Sequence, residues 1–394
     1  MKCRVCKSEK ITEILDLGMQ PLANKYPKNK NEIKREKKYS LEIIFCRNCK
    51  SAQIKKIINR KTLFEDYYYL SSVNNKLKTH FKNLSKKLIK YDFIVDIGSN
   101  DGVLLEPLKK INKLAIGIDP SINVGKIANK KGLKTFIGFF NKKLIKKILI
   151  KYPKPDLIVA SSVVTHLENP ERFARDIKSF LKRDGVLIIE IEYLINFIKN
   201  TEFERFYFDR PFYYSAYTIN YLFKKIGMTL YDIEKINIHG GSIRCFVKHN
   251  SKIKKTIRCK KVISEELSLL KIKFFKTFKK NIYTETKYLF ENLTNFKKQS
   301  KNIIGYGAPA RVSAITNIAK INNELINFII DDSPLKQYRF TPGMHIKILP
   351  KKNNISDKID IVIVFAYEYF RDIKENFRNV KVVFYKPIPF RKLR

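Results

Sequence analysis

The sequence predicts an α/β protein with two parallel sheets and a small metal-binding domain at its N-terminus. Three observations support this fold class. Short apolar runs alternate with helical patterns over residues 92–250, which is typical of a parallel sheet covered by helices on both faces. A second strand, glycine-rich loop and helix begin at Ile303, and two Cys-x-x-Cys pairs lie near the N-terminus.

These patterns divide the chain into four segments. We expect a zinc-binding domain over residues 1–62, a central domain over 63–250, a helical linker over 251–300 and a second Rossmann-like domain over 301–394. The linker is rich in Lys, Leu, Ile and Phe at helical spacing and has no Gly or Pro, which indicates one or two long helices.

The composition is that of a globular protein with an unusual charge. Hydrophobic residues make up 44% of the chain, whereas the formal net charge is +43. A nucleic-acid partner would account for such a charge, but the lysines are spread along every segment instead of forming a patch. Ile and Asn are enriched alongside them, which favours a compositional bias of the genome and no nucleic-acid partner.

Apolar runs of the length found in targeting or membrane segments are missing from the sequence. The residues after Met1 do not form the apolar core of a signal peptide. No stretch approaches the roughly eighteen apolar residues that a membrane span needs. We therefore expect a cytoplasmic protein, where Cys-x-x-Cys pairs bind metal more often than they form disulfides.

The two cysteine pairs have the spacing of zinc knuckles. Each pair places two thiolates on a tight turn, and two pairs complete a tetrahedral shell. Four sulfur ligands leave no open position for water, so the zinc would be structural. The predicted ligands are Cys3, Cys6, Cys46 and Cys49.

An aromatic run precedes the central domain. Three successive tyrosines, residues 67–69, are followed by Ser71 and Ser72, a pattern that does not suit the interior of a helix. We expect a loop that packs over another part of the chain, with a helix starting near Ser72. Buried tyrosine hydroxyls seek hydrogen-bond partners, so Tyr67 and Tyr69 could contact a ligand, although composition alone favours packing.

The first buried strand of the central domain is followed by a glycine-containing loop. The strand, Phe93–Val95, ends in Asp96 and leads into Gly-Ser-Asn-Asp-Gly at residues 98–102. Glycine is needed where the backbone turns sharply and comes close to a ligand. A second buried strand ends in Asp119, whose carboxylate could accept two hydrogen bonds from a ribose diol.

This loop does not match the fingerprint of nicotinamide dinucleotide sites. Asn100 and Val103 stand where the second and third glycines of that fingerprint belong. An ordinary turn between a strand and a helix is the alternative to a cofactor site. The candidate cofactor-binding residues are Asp96, Gly98, Asn100, Gly102 and Asp119.

Two histidines stand at positions where an α/β sheet could use them. His166 follows a predicted strand over Asp156–Ser161, and ligands of open α/β sheets bind outside the carboxyl ends of the strands. His239 begins the His-Gly-Gly turn of a predicted hairpin that closes the sheet. Each histidine could be a catalytic group or a structural hydrogen bonder.

The last domain opens with a second glycine-rich turn. Residues 303–311, IIGYGAPAR, fit Gly-x-Gly-x-x-Ala between a strand and a helix. Helix N-termini bind phosphate whichever molecule carries it, so a dinucleotide and a nucleotide-diphosphate sugar are equally compatible. A later strand ends at Asp331 and Asp332, and we expect the last strand over Asp360–Ala366.

Together these motifs resemble those of the sugar C-methyltransferase family. The likeness covers nearly the whole chain and rests on CxxC…CxxC, YYYLSS, VDIGSNDG, GIDPS, HGGSIR, GYGAPAR and DDSPLKQYRFTPG. It implies a class I methyltransferase domain that binds S-adenosyl-L-methionine at the candidate cofactor residues. It also implies a nucleotide-linked (dTDP-type) keto-deoxysugar between the central and last domains. The candidate substrate contacts are Tyr69, Arg244, Tyr306 and Arg311.

The resemblance implies a mechanism as well as a substrate class. In that family a base removes the proton alpha to a keto group, and the enolate carbon attacks the sulfonium methyl. The family usually carries His-Glu-His here, and its second and third members serve the proton transfer. This chain has Phe208, Asp209 and Arg210 instead. Asp209 can replace a glutamate, but Arg210 cannot release a proton near neutral pH.

Two further departures lie at the ends of central strands. Ser162 replaces an asparagine, and Glu192 replaces a proline. We therefore expect a changed base, with Tyr67, His166 and His239 as the candidates.

Three functions remain open at this point. The favoured function is methylation of a nucleotide-linked sugar at carbon. A sugar O-methyltransferase, with Asp209 or His166 deprotonating a hydroxyl, is the second possibility. An RNA methyltransferase or binding protein with a zinc ribbon is the third.

Overall fold

The computed structural model describes residues 1–59, 63, 71–73, 75–249 and 252–394. Within these residues the chain forms three β-sheets. Tyr67 and Tyr69, two of the predicted site residues, lie outside the described residues. No helix in the described part of the chain is both long and apolar enough to cross a membrane.

The N-terminal sheet is antiparallel and has four strands in the order β1-β2-β3-β9. Its strands are β1 (Ile11–Pro21), β2 (Lys38–Cys46), β3 (Ala52–Ile54) and β9 (Phe212–Tyr213), with helix α1 (Lys30–Lys34) between β1 and β2. The fourth strand comes from residues 203–214 of the central domain, a segment rich in Phe and Tyr. This pairing fixes that segment against the N-terminal domain through backbone hydrogen bonds.

The central sheet has seven strands in the order β10-β11-β8-β7-β4-β5-β6. They are β4 (Phe93–Ile97), β5 (Leu114–Asp119), β6 (Thr135–Ile137), β7 (Leu157–Ser161), β8 (Val186–Glu192), β10 (Met228–Ile236) and β11 (Ser242–His249). The first five are parallel, and β10 and β11 form the antiparallel hairpin that the His-Gly-Gly turn predicts.

Helices cover both faces of this sheet, so β4 and β8 are buried along their whole length. The helices are α2 (Asn75–Lys87), α3 (Leu105–Lys110), α4 (Ile122–Lys130), α5 (Lys142–Leu149), α6 (Pro170–Phe180), α7 (Leu194–Lys199) and α8 (Ala216–Lys224). The chain runs outward from β4 in one direction and from β7 in the other. A crevice therefore opens at the carboxyl ends of these two strands, where ligands of such sheets bind.

Two helices follow the hairpin, α9 (Ile257–Leu269) and α10 (Ile272–Lys298). The apolar side of α10 packs against both preceding domains. Its Phe275 ring lies 4.6 Å from that of Phe45 in the N-terminal sheet, and its Phe278 ring lies 6.1 Å from that of Phe206. The helix thus connects the domains by burying aromatic surface.

The C-terminal sheet has six strands in the order β14-β13-β12-β15-β16-β17. They are β12 (Ile303–Tyr306), β13 (Ile329–Ile330), β14 (Ile348–Leu349), β15 (Ile361–Val364), β16 (Val383–Lys386) and β17 (Arg391–Lys392), with helices α11 (Arg311–Ile318) and α12 (Phe370–Glu375). The prediction that the strand near residues 360–366 is the last was wrong. Two strands follow it. β16 is as long as β15 and begins with an apolar Val-Phe-Tyr run, so the sequence does contain a signal for it, whereas β17 has two residues, too few for a periodic pattern to show.

Candidate active site and metal centre

The four N-terminal cysteines form one cluster. Their Sγ atoms all lie within 4.8 Å of one another, and Cys3–Cys49 and Cys6–Cys46 are separated by 3.6 and 3.5 Å. A tetrahedral Zn²⁺ with Zn–S bonds of about 2.3 Å requires S–S separations of roughly 3.8 Å. The donor set and its geometry therefore fit a structural zinc ion.

Both cysteine knuckles have the same backbone geometry. The residue after each second cysteine, Lys7 and Lys50, is left-handed with φ of 63° and 59°. Its amide donates to the carbonyl of the first cysteine of the pair at 2.8 and 2.9 Å. The Gln53 amide also donates to Cys3 Sγ at 2.8 Å. Such second-sphere hydrogen bonds orient metal ligands, and Gln53 was not predicted from the sequence.

The loop after β4 turns with three residues in the left-handed region. Gly98, Asn100 and Gly102 have φ of 75°, 50° and 87°. A Cβ atom on Gly98 would stand 2.2 Å from Cγ2 of Val163, which belongs to the loop after β7. Glycine is therefore required at position 98 both by conformation and by the close approach of the neighbouring loop.

Asp119 holds this loop in place. Its Oδ2 accepts a hydrogen bond from the Asn100 amide at 2.9 Å, and its Oδ1 accepts one from the Ser121 amide at 2.8 Å. The predicted contact of Asp119 with a ribose stays a prediction, because its oxygens bond the protein backbone here. Burial raises the pKa of this carboxyl group.

Asp96 lies in the same crevice and is buried. Burial, followed by the nearby Asp119 and Glu190 carboxylates, raises its pKa well above the usual range. A ligand that carries positive charge would relieve this repulsion. S-adenosylmethionine has a sulfonium and an ammonium group, so the acidic crevice and its tight loop fit that cofactor.

The segment that follows the aromatic run covers the cofactor loop. The amides of Ser71 and Ser72 donate to Asn100 Oδ1 at 2.9 Å and to Asp101 Oδ1 at 3.1 Å. The side chains of Asn100 and Asp101 thereby tie the covering segment to the crevice. The tyrosine run for which packing was expected lies outside the described residues, so that expectation stays a prediction.

Arg244 is part of a buried network of ion pairs. Its Nε donates to Glu190 Oε1 and its Nη1 to Glu234 Oε2, each at 2.8 Å. Glu190 also bonds His80 at 2.9 Å and Ser161 at 2.8 Å. The guanidinium group is thus already bound by two carboxylates of the protein. Its position gives no support to the predicted contact of Arg244 with the substrate.

A cavity of about 400 Å³ lies between the central and C-terminal domains. Of the sequence-predicted site residues, His239 and Arg311 line it. Its charged lining combines four cationic side chains with three carboxyl side chains: Lys76, Arg205, Arg210 and Arg311 with Glu192, Glu204 and Glu368. Most of these were not predicted as site residues, because they come from separate segments of the chain and no sequence motif connects them.

Arg210 and Glu192, two residues that differ from the pattern of the family that the sequence resembles, form an ion pair in this cavity. Arg210 Nη2 donates to Glu192 Oε1 at 2.6 Å, and Arg210 Nη1 pairs with the other oxygen of Glu192. Both side chains are nearly buried. A cation and a carboxylate that appear together where the family has neither could have indicated this contact from the sequence.

His239 faces the same cavity from the hairpin turn. It is left-handed, with φ of 49°. Burial, followed by the charges of Arg210 and Arg205, lowers its pKa to about 4. The imidazole is therefore neutral near pH 7 and can accept a proton.

His166 and Asp209 contact each other outside the cavity lining. His166 Nδ1 donates to the backbone carbonyl of Asp209 at 2.6 Å. The Asp209 carboxylate accepts a hydrogen bond from Asn24 of the N-terminal domain at 2.6 Å. Burial raises the pKa of Asp209 to about 6. Neither residue is part of the cavity lining.

Tyr306 lies at the end of β12, outside the cavity lining. Its hydroxyl contacts Asp332 at 3.1 Å and accepts a hydrogen bond from Asn376 at 2.9 Å. The neighbouring Asp331 accepts hydrogen bonds from the amides of Ala308 and Ser333 at 2.6 and 2.9 Å. This repeats the arrangement around Asp119, so the second glycine-rich turn has the same internal support as the first.

Three family models match successive parts of the chain. The model described as "Putative zinc binding domain" matches residues 3–64, "Methyltransferase domain" matches 69–233, and "C-methyltransferase C-terminal domain" matches 237–389. Together they account for the methyltransferase fold of the central sheet and for the cysteine cluster.

Individual proteins are similar to nearly the whole chain or to part of it. The C-methyltransferase NovU of Streptomyces niveus is 23% identical over 386 residues, which are 95% of this chain and 91% of that protein. A ubiquinone biosynthesis O-methyltransferase of Pelagibacter ubique is 27% identical over 105 residues, which are 27% of this chain and 44% of that enzyme. The crystal structure of the PH0226 protein from Pyrococcus horikoshii is 14% identical, with a TM-score of 0.38, and the match covers 48% of this chain and 99% of that one.

Proposed function

We propose that this chain is an S-adenosylmethionine-dependent C-methyltransferase with an N-terminal zinc-binding domain, and that its methyl acceptor is a keto sugar linked to a nucleotide diphosphate. The observation that supports this acceptor is the cavity between the central and C-terminal domains. Its volume of about 400 Å³ lies within the range of small-molecule sites. Three arginines and one lysine line it, and arginine binds phosphate oxygens in pairs of hydrogen bonds.

C-methylation needs a group that removes a proton from carbon. Of the candidates from the sequence, His239 is the one that lines the cavity and lies within the described residues. We therefore assign it the role of the base, since it is neutral near pH 7. Its low pKa makes it a weak base, and an anionic substrate beside it would raise that pKa.

Arg210 would stabilise the enolate instead of taking the proton. Its guanidinium keeps its charge at all pH values of interest and lines the same cavity as His239. Glu192 orients it through both of its oxygens. A fixed cation beside the carbonyl oxygen lowers the cost of the negative charge that develops when the α-proton leaves.

The cofactor crevice supplies the other reactant. S-adenosylmethionine provides the methyl group when bound. The loop at residues 98–102 and the buried Asp96 would orient it, and the covering segment that begins at Ser71 would exclude water from the crevice.

The direct test is a methyl-transfer assay with zinc-loaded protein. S-adenosylmethionine with a ¹³C-labelled methyl group is incubated with nucleotide-linked keto sugars and with matched sugars that have no keto group. We expect transfer to the keto sugars only, and NMR of the product will show whether the labelled carbon is bonded to carbon or to oxygen. A methyl group on oxygen would refute C-methylation and assign the O-methyltransferase alternative.

The base is tested by proton exchange in the absence of methyl transfer. With S-adenosylhomocysteine bound and D₂O as solvent, the wild type should exchange the α-proton of the keto sugar. H239N should slow this exchange by about 10²-fold or more. H249N is the matched control, because His249 bonds the Leu181 carbonyl far from the cavity lining and should exchange normally. Undiminished exchange in H239N would refute the assignment.

A further inference from the structure

Two arginines of the cavity lining, Arg205 and Arg311, are paired with a carboxylate of the protein itself, that of Glu368. Arg205 Nη2 donates to Glu368 Oε1 at 2.9 Å, and Arg311 Nη1 donates to the same oxygen at 2.7 Å. Arg311 Nη2 pairs with the second oxygen of Glu368. Two guanidinium groups around one pair of oxygens reproduce the geometry with which arginine binds a phosphate group.

The three side chains come from three separate segments. Arg205 ends a short 3₁₀ turn of the central domain, Arg311 begins α11, and Glu368 lies in a 3₁₀ turn after β15. Glu368 is the most exposed of the three, with 19% of its side-chain surface accessible against 9% for Arg205 and 11% for Arg311. All three side chains line the cavity, so an anion there reaches the arginines once the Glu368 side chain moves away.

Each arginine has a second contact that keeps it in place. Arg205 Nε donates to Glu202 at 2.8 Å, and the Arg311 guanidinium lies 4.4 Å from the centre of the Tyr367 ring. Among the side chains that the structure describes, the Glu368 carboxylate has hydrogen bonds with these two arginines. If Glu368 moves away, the arginines stay oriented, whereas the carboxylate loses all of these partners.

From this asymmetry we propose that Arg205 and Arg311 are the phosphate-binding subsite of the cavity and that Glu368 is a built-in competitor, which a diphosphate group displaces on binding. This inference rests on the proposed function, because it assigns the diphosphate of the sugar nucleotide to a place in the same cavity. Glu368 would keep the cationic site from binding stray anions, which a chain of net charge +43 attracts.

The test measures binding of inorganic pyrophosphate by isothermal titration calorimetry in about 0.15 M salt, which screens non-specific attraction. We expect E368Q to bind pyrophosphate about tenfold more tightly than the wild type, which corresponds to about 1.4 kcal/mol. R311Q should lose the binding. E171Q is the matched control, because Glu171 is also shared by two cations, Arg175 at 2.8 Å and Lys225 at 2.7 Å, but lies outside the cavity lining. The affinity of E171Q for pyrophosphate should equal that of the wild type.

Unchanged or weaker pyrophosphate binding in a folded E368Q variant would overturn the inference and make Glu368 a structural ion-pair partner. If E368Q does not fold, E368D takes its place. The shorter side chain keeps the charge but cannot bridge both arginines, so binding should again tighten, and failure to tighten overturns the inference. Pyrophosphate binding requires neither methyl donor nor sugar. A protein that binds it as expected but methylates no sugar nucleotide would refute the proposed function alone.

Discussion

Gly98→Ala tests whether the loop after β4 depends on the close approach of two loops. An alanine at φ of 75° costs about 1 kcal/mol for its left-handed backbone. Its Cβ would also stand 2.2 Å from Val163 Cγ2, a distance at which one of the loops must shift. Overpacking of this kind costs about 1–3 kcal/mol. We therefore expect the free energy of unfolding to fall by about 2–4 kcal/mol in total.

The chain offers a control that separates the two costs. Gly18 has nearly the same backbone, with φ of 70°, but a Cβ there would meet nothing within 4 Å. Gly18→Ala should therefore lose only about 1 kcal/mol. Val163→Ala removes the clashing methyl groups, so in a double-mutant cycle G98A/V163A should lose less stability than the two single variants added together, by about 1–3 kcal/mol.

The assays are urea unfolding of the zinc-loaded variants and titration with S-adenosylhomocysteine. G98A should bind this ligand at least about tenfold more weakly, because the displaced loop no longer aligns with Asp119, while G18A should bind it as the wild type does. Equal stability and equal ligand affinity of G98A and G18A would refute the close approach of the two loops.

Three further predictions concern the ion pair, the metal and one buried carboxyl group. E192Q leaves Arg210 charged and nearly buried without this carboxylate, so the free energy of unfolding in urea should fall by about 3–5 kcal/mol. Adding R210Q should recover part of this loss. Purely additive effects in the double variant would contradict the pairing. Cys46→Ser leaves three sulfur ligands, so elemental analysis should find less than one zinc per chain and a lower Tm, whereas Cys245→Ser, which alters a buried cysteine outside the cluster, should keep its zinc. The pKa of Asp209 is raised from 3.8 to about 6, so the folded state prefers the protonated form, and this contribution to stability is lost as pH rises from about 4 through 6. The free energy of unfolding of Asp209→Asn, relative to that of the wild type, should therefore rise by about 2–3 kcal/mol between pH 4 and pH 8. A difference that does not change with pH would show that the carboxyl group is not protonated in the fold.

The sequence by itself determined the elements whose information is local. Buried strands such as Phe93–Ile97 show as apolar runs, and the glycines at 98 and 102 mark the turn that follows. The cysteine knuckles depend on a spacing of three residues, which the chain carries wherever the rest of the fold lies. For the same reason the sequence predicted the hairpin at His239 and a helical stretch over residues 251–300, but it left open whether that stretch forms one helix or two.

Only the tertiary structure decided which side chains meet. Arg205, Arg311 and Glu368 come from segments up to 163 residues apart, and no periodicity relates them. The pairing of Arg210 with Glu192, and the choice of His239 over His166 as the residue that faces the cavity, likewise follow from how the domains pack. Charged side chains are individually compatible with a solvated surface, so their partners are defined only when folding removes water from between them.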